Sequence, residues 1–171
     1  MELICARNKD FQTIRNAYMD ICEQTKHMKE YGKWVYGLHP SDDLIQSYIE
    51  KEAMYMLKEQ EEIIGLVAIT QSQEDSYHGI QWRVLAKDEE VAVIHLLSIC
   101  PSYQGKGMSK ICMEKVFDLV KEKKAIRLDA LSCNTIAHQL YRSLGFVYCG
   151  KQNLYASNTG WIDFFFFEKE L

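Results

Sequence analysis

Long apolar runs are missing from this sequence. No stretch approaches the ~18 uncharged apolar residues that a membrane-spanning helix needs, so no membrane partner is expected. The first residues, MELICARNKDF, carry an acid at the second position and no apolar run, which is unlike a secretory signal peptide. We therefore expect a cytoplasmic protein.

Closely spaced cysteines are missing as well. The six cysteines are Cys5, Cys22, Cys100, Cys112, Cys133 and Cys149. None of them forms a C-x-x-C pair. Without a secretion signal, this wide spacing predicts reduced, mostly buried thiols, and neither a disulfide framework nor a zinc site. No metal is expected.

Basic clusters are also absent. The formal net charge is −4 and the pI is about 5.7, so nucleic acid is not expected as the main partner. The 171 residues are 47% hydrophobic, which is enough to bury a sizeable core. No repeat or linker interrupts them, and the sequence predicts one domain over residues 1–171.

Apolar residues that alternate with polar ones indicate strands, and apolar residues that recur every three or four positions indicate helices. The predicted strands are 3–6, 53–57, 63–70, 80–85, 91–99, 125–131, 146–150 and 161–168. The predicted helices are 10–32, 41–52, 108–124 and 134–144, and the stretches 34–40, 71–77 and 151–160 are interpreted as loops. A run of hairpin strands followed by alternating strands and helices predicts an α/β (α+β) fold.

A glycine-bearing turn follows the most apolar strand. The run Val91–Ile99 is broken at Pro101, passes through Gln104-Gly105-Lys106-Gly107 and enters a helix. The first amides of a helix have no internal acceptor, and the helix dipole is positive there. Glycine has no Cβ, so an anion can approach the backbone closely. The turn therefore predicts a site for a phosphorylated ligand.

Two other phosphate-binding loops fit this turn less well. The P-loop pattern G-x-x-x-x-G-K-[ST] is absent. Gly105 and Gly107 supply the first half of a Rossmann G-x-G-x-x-G loop, and Asp129 lies at about the right distance. However, Lys110 occupies the third glycine position.

A second motif lies one strand further along. Residues 134–146 read N-x-x-A-x-x-L-Y-x-x-L-G-F, and the turn reads P-x-x-Q-G-K-G-M. Together, in the order strand, turn, helix, strand, helix, strand, the two motifs resemble the GCN5-related N-acetyltransferase (GNAT) superfamily over Val91–Val147. The resemblance implies a mixed, mostly antiparallel central sheet with about four flanking helices and splayed central strands.

The resemblance also implies a cofactor site. Main-chain groups of Leu97, Ser98 and Ile99 would bind the pantetheine of acetyl-CoA, and Asn134 would contact the cofactor arm. The pyrophosphate would be bound by main-chain amides of Gln104, Gly105, Lys106, Gly107, Met108 and Ser109. The sequence departs from the family pattern at Ser102, where Arg or Gln is usual.

The implied reaction is acetyl transfer from acetyl-CoA to a primary amine by direct attack in a ternary complex. Tyr141 would lie near the thioester sulfur and act as the general acid. An alkylammonium must lose a proton before it attacks, and His95 on the central strand is the candidate base. A single histidine on an apolar strand is more often a satisfied core residue, and Glu89 or Glu90 acting through water is a further, weaker alternative.

Several alternatives stay open at this stage. The acceptor could be a small amine or a peptide amine, since the loops expected to shape its site carry no readable pattern. A non-catalytic acyl-CoA-binding sensor or interaction module is the alternative to an enzyme. The four consecutive phenylalanines in residues 161–168 indicate either a strand buried on both faces or a homodimer seam.

Overall fold

A computed structural model describes residues 1–171, and its centre is a seven-stranded sheet in the order β1-β2-β3-β4-β5-β7-β6. The strands are β1 Glu2–Cys5, β2 Met54–Glu59, β3 Glu62–Thr70, β4 Val91–Ile99, β5 Ala125–Leu131, β6 Val147–Ala156 and β7 Gly160–Glu170. Only β4 and β5 are parallel. This confirms the expected mixed, mostly antiparallel sheet.

Helices cover both faces of the sheet. They are α1 Phe11–Gln24, α2 Asp42–Glu50, the short α3 Asp75–His78, α4 Met108–Leu119 and α5 Thr135–Ser143. One core of 16 buried residues packs α4 and α5 against the sheet, and a second of 13 packs α1 and α2 against the other side. We call these two sides the α4 face and the α1 face. No helix is long and apolar enough to cross a membrane.

The four phenylalanines of β7 pack on both faces of the sheet. Phe165 and Phe167 pack into the core under α4, whereas Phe164 and Phe166 pack with Tyr77 on the α1 face. The apolar run is therefore explained by burial on two sides.

The edge strand β6 shows that the loop predicted for residues 151–160 is wrong. β6 continues to Ala156 and pairs with β7 over its length. Lys151 and Asn153 both bond to the Asp163 carboxylate on β7, at 2.6 and 2.8 Å. The polar residues of this stretch belong to an edge strand. Periodicity did not reveal the strand because Lys151, Gln152 and Asn153 are polar in succession and do not alternate with apolar residues.

The strand predicted for residues 80–85 is also wrong. This segment has no ladder partner, and its main chain is instead held by two buried side chains of the sheet. The Glu168 carboxylate accepts from the amides of Arg83 at 2.9 Å and Val84 at 3.0 Å. The Arg127 guanidinium donates to the Val84 carbonyl at 2.9 Å. Charged side chains thus take the place of a neighbouring strand.

The predicted first helix, residues 10–32, ends earlier than expected. α1 stops at Gln24, and His27 takes a left-handed φ of 61° before a π-helical turn over Met28–Gly32. This π-helical turn lies next to the end of β4 and to the glycine turn at residues 104–107, and all three line the same cleft.

The central strands separate part-way along the sheet. Residues pair from Val91↔Ala125 as far as Ile94↔Leu128, and β4 and β5 diverge beyond that point. A bulge in β4 accompanies the separation, with Leu96 at a φ of 51° and a register shift against β3. Because a bulge bends its strand away from its neighbour, the sheet opens into a fork. The expected splay of the central strands is confirmed.

Candidate active site

A cleft of about 560 Å³ opens where the two central strands separate. It lies between the end of β4, the glycine turn, α5 and the segment that follows α1. Ten of the eleven residues expected to bind a cofactor line it: Leu97, Ser98, Ile99, Gln104, Gly105, Gly107, Met108, Ser109, Asn134 and Tyr141. Sequence positions far apart therefore converge on one concavity.

Lys106 is the expected residue whose side chain lies outside the cleft. Its ammonium donates to the Ser102 carbonyl at 2.8 Å and lies 5.6 Å from the centre of the Tyr103 ring. The Lys106 side chain therefore stabilises the turn from outside, and only its main-chain amide belongs to the site.

The turn presents five consecutive main-chain amides without a partner. None of the amides of residues 105–109 donates a hydrogen bond within the protein, and the first that does is Lys110, to the Gly107 carbonyl at 3.1 Å. Gly105 and Gly107 have φ values of 74° and 77°, and a Cβ at either would meet only open space. A run of free amides at a turn with left-handed residues is typical of the concave main-chain sites called nests, which suit anions. We call residues 105–109 the amide nest.

The Gln104 side chain has a structural task. Its amide group donates to the Ile99 carbonyl and to the Thr25 hydroxyl, both at 2.8 Å. Gln104 thereby ties the end of β4 to the segment after α1. The Ile99 carbonyl consequently already accepts one hydrogen bond from the protein.

Ser98 lines the cleft, but its side-chain hydroxyl is buried. The residue is only 9% exposed, and the polar neighbour of its hydroxyl is the Tyr18 hydroxyl. Tyr18 donates its own proton to the Leu96 carbonyl at 3.1 Å, so its oxygen can accept from Ser98. Sequence reasoning assigned Ser98 only a main-chain contact and missed this hydroxyl.

Asn134 and Tyr141 occupy the α5 wall. The Asn134 side chain caps the helix by accepting from the Ala137 amide at 3.2 Å, as its sequence position indicated. The Tyr141 ring packs against Phe146 and Phe167, with centroids 5.8 and 5.7 Å away. Burial raises the pKa of Tyr141, so its hydroxyl is protonated at neutral pH and available as a donor.

His95 lies on the α1 face and does not line the cleft. Its Nε2 is 3.1 Å from the Thr70 hydroxyl, and its ring stacks on Tyr48 at 5.7 Å. Because the single Thr70 proton goes to the Ser72 carbonyl at 3.1 Å, His95 Nε2 donates and Nδ1 keeps its lone pair. Burial, with a smaller contribution from His39, lowers the pKa of His95 to about 4.

Asp129 lies on the same face, and sequence reasoning assigned it no catalytic task. Had the strands stayed paired, the register Ile94↔Leu128 would continue as His95 opposite Asp129. Burial, and secondarily the Glu74 carboxylate, raise the pKa of Asp129 to about 7. The available signal was one acid within the apolar end of a central strand, Leu128-Asp129-Ala130-Leu131.

Comparison with known proteins agrees with this geometry. The model of the acetyltransferase (GNAT) family matches residues 11–146 of the chain. The chain belongs to the GNAT family of acetyltransferases. The predicted resemblance is thereby confirmed, and the match extends well into the N-terminal half, where no motif was recognised.

Solved GNAT-like structures share the fold of this chain. An acetyltransferase of the GNAT family from Streptococcus agalactiae superposes with a TM-score of 0.77 at 17% identity, covering 99% of this chain and 95% of that one. The yncA protein of Salmonella typhimurium, solved with its cofactor acetyl-CoA, superposes with a TM-score of 0.67 at 18% identity, covering 100% and 94%. At these identities the likeness concerns the fold.

One curated relative is similar over a shorter stretch. Streptothricin acetyltransferase from Streptomyces lavendulae is 31% identical over 77 residues. The aligned part is 44% of this GNAT chain and 36% of that protein.

Proposed function

We propose that this GNAT acetyltransferase transfers the acetyl group of acetyl-CoA to a primary amine. The observation that carries the proposal is that three features border one cleft. They are the five free amides of residues 105–109, the end of β4 that lacks a β5 partner, and Tyr141. Acetyl-CoA is an elongated thioester with a pyrophosphate at the far end from the acetyl group, so one molecule could contact all three.

The amide nest fits the diphosphate of coenzyme A. The amides of Gly105, Lys106, Gly107, Met108 and Ser109 stand at the N-terminus of α4, a helix of 12 residues, where the dipole adds to their attraction for an anion. No protein atom lies within 4 Å of the position that a Cβ would take at Gly105 or Gly107. The protein therefore leaves room beside the turn for the phosphates.

The forked strand fits the pantetheine arm. Beyond Ile94, β4 has no partner on its β5 side, so its main chain is free to pair with the amide groups of a ligand. Leu97 and Ser98 are the residues that we assign to this contact. Asn134 lines the opposite wall, where it would contact the same arm.

The reaction needs a proton donor and a proton acceptor. The amine nitrogen forms a bond to the acetyl carbon while the carbon–sulfur bond breaks, and the thiolate that leaves must gain a proton. We assign that donation to Tyr141, whose protonated hydroxyl faces the cleft. A main-chain amide near Leu97 is the candidate donor to the carbonyl oxygen.

Direct attack on the thioester is favoured over an acetylated cysteine. Burial raises the pKa of Cys100 to about 11 and that of Cys112 to about 12, so both are protonated and weakly nucleophilic at neutral pH. Cys133 lies beside the Tyr31 carbonyl and has no adjacent base. We therefore propose a ternary complex of protein, acetyl-CoA and amine.

The similar proteins support this proposal from outside the chain. yncA was solved with acetyl-CoA as its cofactor, and the similar stretch of streptothricin acetyltransferase belongs to a protein named for acetyl transfer to streptothricin. We further propose that residues 1–171 act as one domain, because a single sheet runs through them.

Release of free thiol tests the proposal directly. The protein is incubated with acetyl-CoA and a panel of amines, and coenzyme A is followed with a thiol reagent. Amine-dependent thiol release together with an acetylated product is expected. Tight acetyl-CoA binding without turnover of any amine would instead favour the non-catalytic binding module.

A further inference from the structure

The segment that follows α1 borders the cleft, and the cofactor contacts and proton transfers proposed above do not use its side chains. We call residues 25–34 the cover segment. Seven of its ten residues line the cleft: Thr25, Lys26, His27, Met28, Tyr31, Gly32 and Trp34. The cover segment is therefore a wall of the site with no function assigned to it.

Two contacts hold the cover segment across the fork between the central strands. At its start, the Thr25 hydroxyl accepts from the Gln104 side chain at 2.8 Å, beside the glycine turn that follows β4. Further along, the Tyr31 carbonyl accepts from the Cys133 thiol at 3.6 Å, just past the end of β5. The segment therefore runs from the β4 side of the fork to the β5 side.

Trp34 lies near the bulge in β4. Its ring packs edge-on against Tyr18 at a centroid distance of 6.1 Å, and the Tyr18 hydroxyl donates to the carbonyl of the bulged residue Leu96 at 3.1 Å. Leu97, which we assign to the pantetheine and the thioester carbonyl, is the next residue. The Thr25 end of the cover segment thus lies beside the amide nest, and the Trp34 end lies near the expected thioester.

The side chains toward the thioester end are apolar or aromatic. Met28, Tyr31 and Trp34 line the cleft together with Ile21 of α1. The three residues of the cover segment are half-buried, so each keeps surface that a bound molecule can cover. Covering apolar surface is favourable, and this wall therefore suits a molecule with an apolar body.

The cleft offers no partner for a second charge on the acceptor. No aspartate or glutamate is among its lining residues, so a second ammonium group would find no carboxylate there. The basic residues are Lys26 and His27, which follow Thr25 at the diphosphate end, and the His27 ring is paired with the Glu30 carboxylate at 3.0 Å. Enclosing a charge without a partner is costly.

We infer that the acceptor is a primary amine with an uncharged alkyl or aryl body, which packs against Met28, Tyr31 and Trp34. The inference rests on the proposed acetyl transfer and names its acceptor class. It places polyamines and amino acids among the poor acceptors, because each carries a second charge. Met28 and Trp34 are accordingly the residues that determine specificity.

Matched pairs of amines test this class in the thiol-release assay. Hexylamine and cadaverine have the same chain length, but a terminal methyl group in hexylamine is an ammonium group in cadaverine. Phenethylamine and phenylalanine differ by one carboxylate. We expect wild-type kcat/KM to be higher by ~100-fold or more for hexylamine and for phenethylamine than for their charged counterparts.

Met28→Glu should shift the preference by supplying the missing carboxylate. It should lower kcat/KM for hexylamine and raise it for cadaverine, so that the ratio between the two falls by ~10-fold or more. Leu38→Glu adds the same charge at an exposed residue that does not line the cleft, and as the matched control it should keep the wild-type ratio. Loss of folding cannot produce a gain with cadaverine.

Trp34→Ala should lower kcat/KM for both apolar amines by ~10-fold or more. The Kd for acetyl-CoA, measured by calorimetry, should stay as in wild type, which also shows that the variant is folded. Val35→Ala shortens the neighbouring side chain, which is exposed and outside the cleft, and should leave both quantities unchanged.

The outcomes separate this inference from the proposed function. If no amine releases thiol, the acetyl transfer is refuted, and the apolar site is refuted with it unless phenethylamine still binds, by calorimetry, to protein saturated with coenzyme A. If wild type uses cadaverine or phenylalanine as well as the uncharged counterpart, the transfer stands and the acceptor class is overturned. A preference for phenylalanine that Lys26→Ala abolishes would also overturn it, because Lys26 would then bind the carboxylate.

Discussion

Replacing Asp129 by Asn is expected to make the protein more stable at alkaline pH. A carboxyl group in the unfolded chain has a pKa of about 3.8, and the folded protein raises it to about 7. Between those values the native state binds the proton more tightly than the unfolded state. The free energy of unfolding therefore decreases as pH rises from about 4 to about 7 and stays lower above that.

The size of the effect follows from the same two values. Each pKa unit is worth ~1.4 kcal/mol, so the ionised Asp129 lowers the stability of the native state by at most ~4 kcal/mol above pH 7. Asn has nearly the same shape and no charge to lose. The stability difference between Asp129→Asn and wild type should grow by ~2 kcal/mol or more between pH 5 and pH 8.

Urea unfolding at the two pH values measures this difference. Asp75→Asn, at an exposed carboxylate, serves as the control and should show little change with pH. A pH-independent difference for Asp129→Asn would refute the reasoning, because it would mean that Asp129 titrates alike in the folded and unfolded states. A wild type that gains on the variant at pH 8 would point to a protein cation that stabilises the carboxylate.

Three further substitutions test other parts of the structure. Glu168→Gln leaves the guanidinium of Arg127, whose side chain is only 2% exposed, without a counter-charge. Urea unfolding should therefore show a loss of ~3–5 kcal/mol in unfolding free energy. The control Glu170→Gln, at an exposed position, should lose less than ~0.5 kcal/mol. Tyr141→Phe should lower kcat while the acetyl-CoA Kd measured by calorimetry is retained, and an unchanged kcat would remove Tyr141 from proton transfer. Ser41→Ala removes the N-cap bond of α2 and should cost ~1 kcal/mol of unfolding free energy, a figure that an unchanged urea midpoint would contradict.

The elements with strong local signals were predictable from the sequence. Val91–Ile99 is apolar on both faces because the central strand is covered by helices on both sides, and glycines with positive φ mark the turn that follows it. Asn134 and Gly145 bound α5 as a cap and a stop. In these places local propensity and the tertiary structure agree.

The errors occurred where partners distant in sequence decide the structure. Residues 80–85 alternate like a strand, but their main chain bonds to Arg127 and Glu168, which lie more than 40 residues away. The stretch 151–160 has polar residues because β6 is an edge strand. No local period distinguishes these environments.

The candidate site was also only partly predictable from the sequence. The glycine turn and α5 carry motifs that could be recognised, and ten of the eleven residues expected from them lie in one cleft. Asp129 carries no motif, and what sets it apart is its burial beside Tyr77 and Glu74, which only the three-dimensional arrangement shows. The same holds for the Ser98 hydroxyl, whose neighbour Tyr18 lies 80 residues earlier in the chain.

Binding of acetyl-CoA at the amide nest is the central claim, and Gly107→Glu tests it most directly. The variant adds a carboxylate at the turn that carries the nest, where a Cβ meets open space, whereas Gly107→Ala brings the backbone strain alone. Gly160→Glu, at the first residue of β7 with a φ of 71° and open space around it, brings equal charge and similar strain elsewhere. Acetyl-CoA at ~100 times its Kd should raise the unfolding free energy of wild type and Gly160→Glu by ~2.7 kcal/mol and leave Gly107→Glu unchanged. An equal gain in Gly107→Glu would contradict the account, because the diphosphate would then bind elsewhere.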